Sequence, residues 1–463
     1  MKKTAFALLA LAGCVTAPVP PIGTEPDVPP GGGTEALAAF DGQTNGFVSA
    51  EVLMEDQEEF DGVENVADGL GPLYNAQSCR ECHQTPLSGG ASQVTELRAG
   101  HRDAQGLFQA PRVPIARGTA FVEGRTLIND RAICPSAAFP DTEIQEHVPD
   151  SENIRTLRLS LPVLGDGLVE AVEDGFLRRL AARQCKETQG QICGLVIEVP
   201  ILEAPGQYRA GRFGWKNQQA SLLSFAADAY LNEMGITSRL QPDEATTMCD
   251  TVKDPEDNPA AEPSRAARLQ ARTARATSRA AAPVEAPVAD IDRFARFMRA
   301  SKAPPRDTTL AATDAAQRGS QQFDRAGCAT CHVRAMVTAP EGTKINGGTF
   351  AVPAALASRL FHPFGDFLMH DVGTGDGIEI SILEHHGRKF AYMQPQMSPT
   401  ANRMRTAPLW GLRTRSRLMH DGASVTLRDA IARHRGEAND ARRRFDMLGE
   451  QEQNELLTFL RSL

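Results

Sequence analysis

An excess of positive charge is the first thing missing. Lys and Arg number 49 against 58 Asp and Glu, for a net charge of −9. Nucleic acid is therefore not an expected partner, since it selects for a basic footprint. A long apolar run is missing at the start: Ala5 to Ala12, behind Lys2 and Lys3, is too short to span a bilayer and reads as a signal peptide. Large apolar side chains nearly vanish between Asp254 and Pro287, a stretch rich in Ala, Arg, Pro and Glu that cannot bury much core and reads as a linker. Tryptophan occurs only at Trp215 and Trp410.

What remains is ordinary for a soluble globular chain. The 463 residues are 41% hydrophobic and 23% charged, enough for two to three domains. The reading along the chain is a lipoprotein signal peptide over 1–13, a Pro/Gly-rich flexible tether over 14–34, an N-terminal domain over 35–250, the linker over 251–290 and a C-terminal domain over 291–463. Leu11-Ala12-Gly13-Cys14 resembles a bacterial lipobox, which makes Cys14 the expected lipidation site and a lipid anchor the expected tie to a membrane. Val15 follows where an inner-membrane retention Asp would stand. The implied address is the outer membrane, facing the periplasm. A plain cleavable signal with an incidental Cys is the alternative.

Nine cysteines sort by spacing. Cys79-Arg80-Glu81-Cys82-His83 and Cys328-Ala329-Thr330-Cys331-His332 are two C-x-x-C-H units, the pattern of covalent haem c. Two thiols about one helical turn apart can add across the two vinyl groups of the macrocycle, and the following His lies under the iron as its proximal ligand. A four-Cys zinc site explains neither His, and a thioredoxin-like pair would not need one. Tyr74 and Phe323 both stand five residues before the first Cys of a unit. Cys134, Cys185, Cys193 and Cys249 are left over, and in an oxidising compartment they suggest two disulfides. Cys185 with Cys193 would close a small loop and leave Cys134 with Cys249, but the sequence leaves the connectivity open. The stretch Asn217 to Met234 has helical apolar spacing, with Gly235 as its stop.

Several stretches resemble the di-haem oxidoreductases related to bacterial cytochrome c peroxidases, a group also labelled thiol oxidoreductases. They are Arg158 to Ala171, Gly211 to Lys216, Asn232 to Thr237, Arg405 to Gly411 and His420-Asp421-Gly422. The thiol label finds little support, because no C-x-x-C remains once the haems are assigned. The resemblance implies a mainly α protein with two cytochrome c-like haem domains, irregular loops and minor β in the N-terminal half. In the peroxidases a Met fourteen residues after the His of the His-Asp-Gly is the distal ligand of the electron-transfer haem. Here that position is His434, the expected second ligand beside His332, with His370 next in line and His420 at the haem edge or a propionate. A His in place of Met lowers a haem's potential. The Glu before Met-Gly that assists peroxide cleavage in the peroxidases matches Glu233, the expected acid–base residue. Trp215 and Trp410 both lie in these stretches and become candidates for cofactor contact, with Trp215 the closer match to the bridging Trp of the peroxidases. His101 could close the first haem beside His83, although a loop role suits its surroundings better. The positions that hold calcium in the peroxidases are Arg415 and Arg417 here, which puts calcium in doubt and suggests propionate partners instead.

The expected function is thus a peroxidase-like di-haem c-type oxidoreductase. It would reduce a small oxidant, hydrogen peroxide or O₂, at the N-terminal haem with relay through a bis-His C-terminal haem. Two other readings keep the architecture: an enzyme that oxidises a protein or polymer with peroxide or O₂, and a non-catalytic tethered electron carrier. The redox partner protein is left open.

Overall fold

A computed structural model describes residues 33–252, 288–379 and 400–463. The signal peptide, Cys14, most of the tether and most of the linker lie outside the described residues. Among the described residues the fold is mixed, with more helix than strand. Strand pairs occur in both halves rather than in the N-terminal half alone. Most strands are two or three residues long, too short to show a period of two in sequence.

The helices that frame the site are α1 (Ala50–Asp61), α2 (Cys79–Cys82), α3 (Asp174–Glu187), α4 (Leu222–Met234), α5 (Asp290–Ala300), α6 (Asp314–Ala326), α7 (Leu427–Ala432), α8 (Asn439–Met447) and α9 (Glu450–Arg461). The strands that matter are β1 (Thr34–Glu35), β2 (Thr95–Arg102), β3 (Leu127–Ile128), β4 (Ile154–Leu159), β5 (Met336–Val337) and β6 (Arg359–Phe361). β2 is the longest, paired antiparallel with both β3 and β4.

The two halves of the chain interlock. β1 pairs parallel with β6, which pairs antiparallel with β5, so the first described strand is held in a sheet of the C-terminal half. The helix after the linker, α5, packs against α1 and α4 of the N-terminal half. Its Phe294 meets Tyr230 at 5.1 Å between ring centroids, and its Phe297 meets Phe60 at 4.6 Å. The largest core accordingly runs from Leu53 to Trp410. Burying a Phe or Leu side chain is worth about 1.5–3 kcal/mol.

A second core joins α6 to α9 through Phe323, Leu456, Phe459 and Leu460. A Cβ on Gly319 would lie 1.9 Å from the Glu455 carbonyl oxygen, so only glycine lets these two helices cross this closely. In α4, the Ser221 hydroxyl caps the start and Gly235 ends the helix at φ 71°, the left-handed stop that glycine favours. A Cβ there would meet the Leu73 carbonyl at 2.5 Å. That close approach sets the last turn of α4, with Glu233, against the loop leading to Cys79.

Candidate functional site

The two C-x-x-C-H units fold alike. In the first, Cys79 to Cys82 form α2, capped by Ser78, and the His83 amide donates to the Cys79 carbonyl at 3.0 Å. In the second, Cys328–Thr330 is a single 3₁₀ turn behind Gly327, and the His332 amide donates to the Cys328 carbonyl, again at 3.0 Å. A phenylalanine lies beside each imidazole: Phe60 at 6.2 Å from His83 and Phe323 at 6.4 Å from His332. The sequence had suggested Tyr74 as the counterpart of Phe323. Tyr74 instead faces Arg131, and Phe60, from α1, takes the place. The four motif thiols are free, while Cys134 pairs with Cys249 and Cys185 with Cys193. Burial pushes the Cys82 and Cys328 thiols up to about 12. Among the described residues, no cluster gathers the four thiols as a zinc site would require.

The second unit opens on a mainly apolar cavity of about 1560 Å³ including its mouth, lined by Cys328, Cys331, His332, Phe323, Ile431 and His434. His332 Nδ1 meets the Phe364 carbonyl at 3.0 Å and His434 Nδ1 meets the Ala430 carbonyl at 2.8 Å. A carbonyl can only accept, so each Nδ1 carries the proton and each Nε2 keeps its lone pair, as a metal-ligating imidazole requires. Burial, and secondarily the neighbouring His434, lowers His332 to about 4. Arg405, Arg415 and Arg417 also line this cavity. Burial lowers Arg405 and Arg415 to about 10. Arg415 donates to the carbonyls of Pro408 and Trp410, and Arg417 to that of Gly422.

The N-terminal cavity is of different character. Its space of about 1920 Å³ including the mouth is lined by His83, Glu96, Arg98, Trp215, Asp228 and Glu233, among others. Burial lowers His83 to about 4, and its Nδ1 makes no hydrogen bond of good geometry, although backbone groups of Leu161 and Gly90 lie near the ring. Glu233 accepts from Asn75 Nδ2 at 3.1 Å, and Arg98 donates to Glu96 at 3.0 Å. Burial first, and then the charge of Glu96, pushes Glu233 well above the usual carboxylate range. Burial is the largest influence on Glu96 and opposes its ionisation, but Arg98, Glu233 and Arg158 together outweigh it and hold Glu96 low.

Trp215 lines both cavities, as do Leu159 to Pro162 and Arg405. Its indole N–H donates to the Leu159 carbonyl at 2.7 Å, and its ring meets His420 edge-on at 6.1 Å. His420 lines the C-terminal cavity. Trp410, expected at a cofactor, lines neither; it is buried beside Phe361 in the largest core. Its stretch is apolar and packs, so motif membership did not separate a core Trp from a cavity Trp. His370, next in line as a ligand, does not line this cavity and is grouped instead with Cys331 and Asp366. Its Nδ1 meets Glu437 at 2.7 Å and its Nε2 meets Asp366 at 2.9 Å, so both nitrogens are engaged.

His101 lies on β2 and bonds Glu152 at 2.7 Å. Alternate residues of a strand face opposite sides. Glu96 and Arg98 are on the cavity side; Leu97, Ala99 and, by the same parity, His101 are on the other, where Leu97 and Ala99 pack with Val113 and Ile128. Sequence reasoning missed Glu96 and Arg98. The signal was present in Thr-Glu-Leu-Arg-Ala, charged and apolar in alternation, in a segment not read as a strand.

No curated protein matches this chain. Among solved structures it is similar to hydrazine synthase of Kuenenia stuttgartiensis, studied under xenon pressure, at 13% identity and a TM-score of 0.33 over 100% of both chains. It is also similar to a MauG-like protein associated with microbial copper homeostasis, at 17% identity and a TM-score of 0.30 over 65% of this chain and 89% of that one. The family model described as "Di-haem oxidoreductase, putative peroxidase" matches residues 140–463. The chain belongs to this di-haem oxidoreductase family.

Proposed function

We propose that the N-terminal cavity is where a small oxidant, hydrogen peroxide or O₂, is reduced, and that the C-terminal cavity is an electron relay closed on both sides by histidine. The residues present fit two haems. Each C-x-x-C-H unit places its His on the wall of a large cavity, the motif thiols are free, and His83 Nδ1 is a buried atom without a good partner. Cys79, Cys82 and His83 would hold one haem; Cys328, Cys331, His332 and His434 would hold the other. When bound, a c-type haem would supply one-electron chemistry through an iron that takes histidine ligands. Arg405, Arg415 and Arg417 can neutralise propionates, because a buried guanidinium favours a carboxylate partner. Trp215 stands in the wall between the cavities. In the N-terminal cavity Glu233 holds a proton at its carboxyl, oriented by Asn75, and can deliver it to an oxygen of the oxidant.

One observation carries this reading: a second cavity histidine, His434, stands in one cavity, and a carboxylate–arginine wall stands in the other. Low-temperature EPR of the ferric protein tests it. One high-spin and one low-spin haem is the expected result, with the high-spin signal responding to peroxide. Two low-spin haems, neither opened by half-reduction, would overturn it in favour of a carrier. We further propose that Cys14 is acylated and tethers the protein to the outer membrane on its periplasmic side. Among the described residues no helix is long and apolar enough to cross a membrane. A C14S variant should then leave the membrane fraction.

A further inference from the structure

The wall of the N-terminal cavity contains more than one carboxyl at the place where a lone acid would suffice. Glu233 and Glu96 come from distant elements, α4 and β2, and both line this cavity, near enough for the charge of one to act on the other. Two ionised carboxylates in one buried wall are both acceptors and repel each other, so the pair favours keeping one proton. We propose that Glu96 and Glu233 act as one pair that keeps a single proton in this cavity, with Glu96, anchored by Arg98, as the positioning residue that keeps that proton on Glu233. This rests on the reading of the cavity as the reactive one.

The asymmetry of the pair follows from its neighbours. Arg98, two residues from Glu96 on the same face of β2, donates to Glu96 at 3.0 Å. Glu233 receives only the neutral amide of Asn75, at 3.1 Å. That amide cannot turn over: Asn75 Oδ1 accepts from the Asp130 amide at 2.9 Å, leaving Nδ2 to donate to Glu233. Oε2 of Glu233 therefore already accepts a hydrogen bond. The residue itself is pinned, since its carbonyl accepts from the amides of Asn75 and Ala76 at 2.7 and 3.1 Å. Other cations around the cavity are already engaged. Arg158 of β4 and Lys216 both meet Asp376, at 2.7 and 2.9 Å, and Arg125 meets Glu146 at 2.9 Å. Asp228, one turn before Glu233 on α4, is held up by burial and adds no cation. Arg98 is thus the cation hydrogen-bonded to the pair, and its bond goes to Glu96, which the charge of Arg158 also favours.

A pair holding one proton does what neither residue can do alone. A protonated Glu can give a proton but not take one, and an ionised Glu can take but not give. With Glu233 protonated and Glu96 ionised, the same wall offers a donor and an acceptor at once. Like charges in one buried wall resist double ionisation, so the single-proton state spans a broad pH range.

Infrared spectroscopy of the purified holoprotein reads the proton directly, without turnover. Wild type minus E233Q should show the carbonyl stretch of a protonated carboxyl at neutral pH, shifting on exchange into D₂O. Wild type minus E96Q should show the same band, because Arg98, freed from Glu96, becomes the counter-ion of Glu233 and ionises it. R98Q should gain intensity, since Glu96 loses its cation and takes up a proton as well, and it tests the pair with both carboxyls in place if E96Q does not fold. Absence of the band from the difference with either Glu variant, or loss of intensity in R98Q, would overturn the pair. In turnover, the alkaline limit of E96Q should move to lower pH than that of the wild type. A protein that ignores peroxide yet gives these spectra would keep the pair and lose only the reading of the cavity. One that consumes peroxide while the Glu233 band persists in E96Q would do the reverse.

Discussion

The N-terminal and C-terminal cavities share a floor and differ in their walls. On each floor the His amide closes on the first Cys carbonyl at 3.0 Å and a phenylalanine lies 6.2 or 6.4 Å from the imidazole. The walls come from elsewhere in the chain. One is built by β2 and α4 and carries Glu96, Arg98 and Glu233; the other is built around α7 and carries His434. A five-residue motif thus sets the floor of each cavity, and elements far away in sequence set what stands above it. The difference between donor wall and ligand wall is the comparison that experiments should break or sharpen.

The largest effect should come from removing one floor at a time. C79A/C82A should lose the N-terminal haem and C328A/C331A the C-terminal one, each read by haem stoichiometry in the pyridine haemochrome assay. If the comparison holds, the first variant loses all peroxide turnover while keeping a low-spin spectrum, and the second keeps the high-spin one. Loss of the same signal in both would break the distinction between the cavities.

E233Q comes next. Removing a positioned acid–base group should lower turnover about 10²–10⁴-fold, while Gln preserves the shape of the protonated acid. Stability should respond with a definite sign. The raised value of Glu233 means that the folded state keeps a proton that the unfolded state releases. Stability therefore falls as pH rises from the unfolded-state value toward the folded one. In E233Q that fall should flatten, and thermal melts across this window check it. The C-terminal haem should keep its spectrum.

How much of this was legible in sequence follows the same division. Both floors were, because vinyl addition forces two thiols and a His into one local stretch. Gly235 was legible as the end of α4 because a left-handed stop is also local. Glu233 and His434 were reached through resemblance rather than through any pattern of their own. Glu96 and Arg98 were not reached at all: their place depends on β2 pairing with β4, which sets them opposite Arg158 and Thr156, and on which face of that strand meets the cavity. Phe60 illustrates the same limit. It reaches His83 from α1, where it packs against Phe297, whereas Tyr74, at the expected spacing, does not. The mixed architecture was also hidden, because strands of two or three residues leave no periodic trace.

H434M should sharpen the ligand wall. A thioether is a weaker donor to ferric iron than imidazole, so the C-terminal haem stays six-coordinate and its potential rises. H434A should instead open that haem and give a second high-spin signal in EPR. If H434A leaves the low-spin signal intact, His434 does not close this cavity.

W215F should be the smallest of these effects and the most specific, since Trp215 belongs to neither cavity alone. Its ring lines both, and its N–H is committed to the Leu159 carbonyl at 2.7 Å. Phe keeps the apolar face but drops that donor, at a cost of about 1 kcal/mol that chemical denaturation can measure. Both haem spectra and both potentials should hold, because no first ligand is touched. The change should appear only in the rate at which one cavity re-equilibrates with the other after rapid mixing with peroxide, which should slow. A variant that shifts a potential instead would make Trp215 a part of one wall, and the two cavities would then need another route between them.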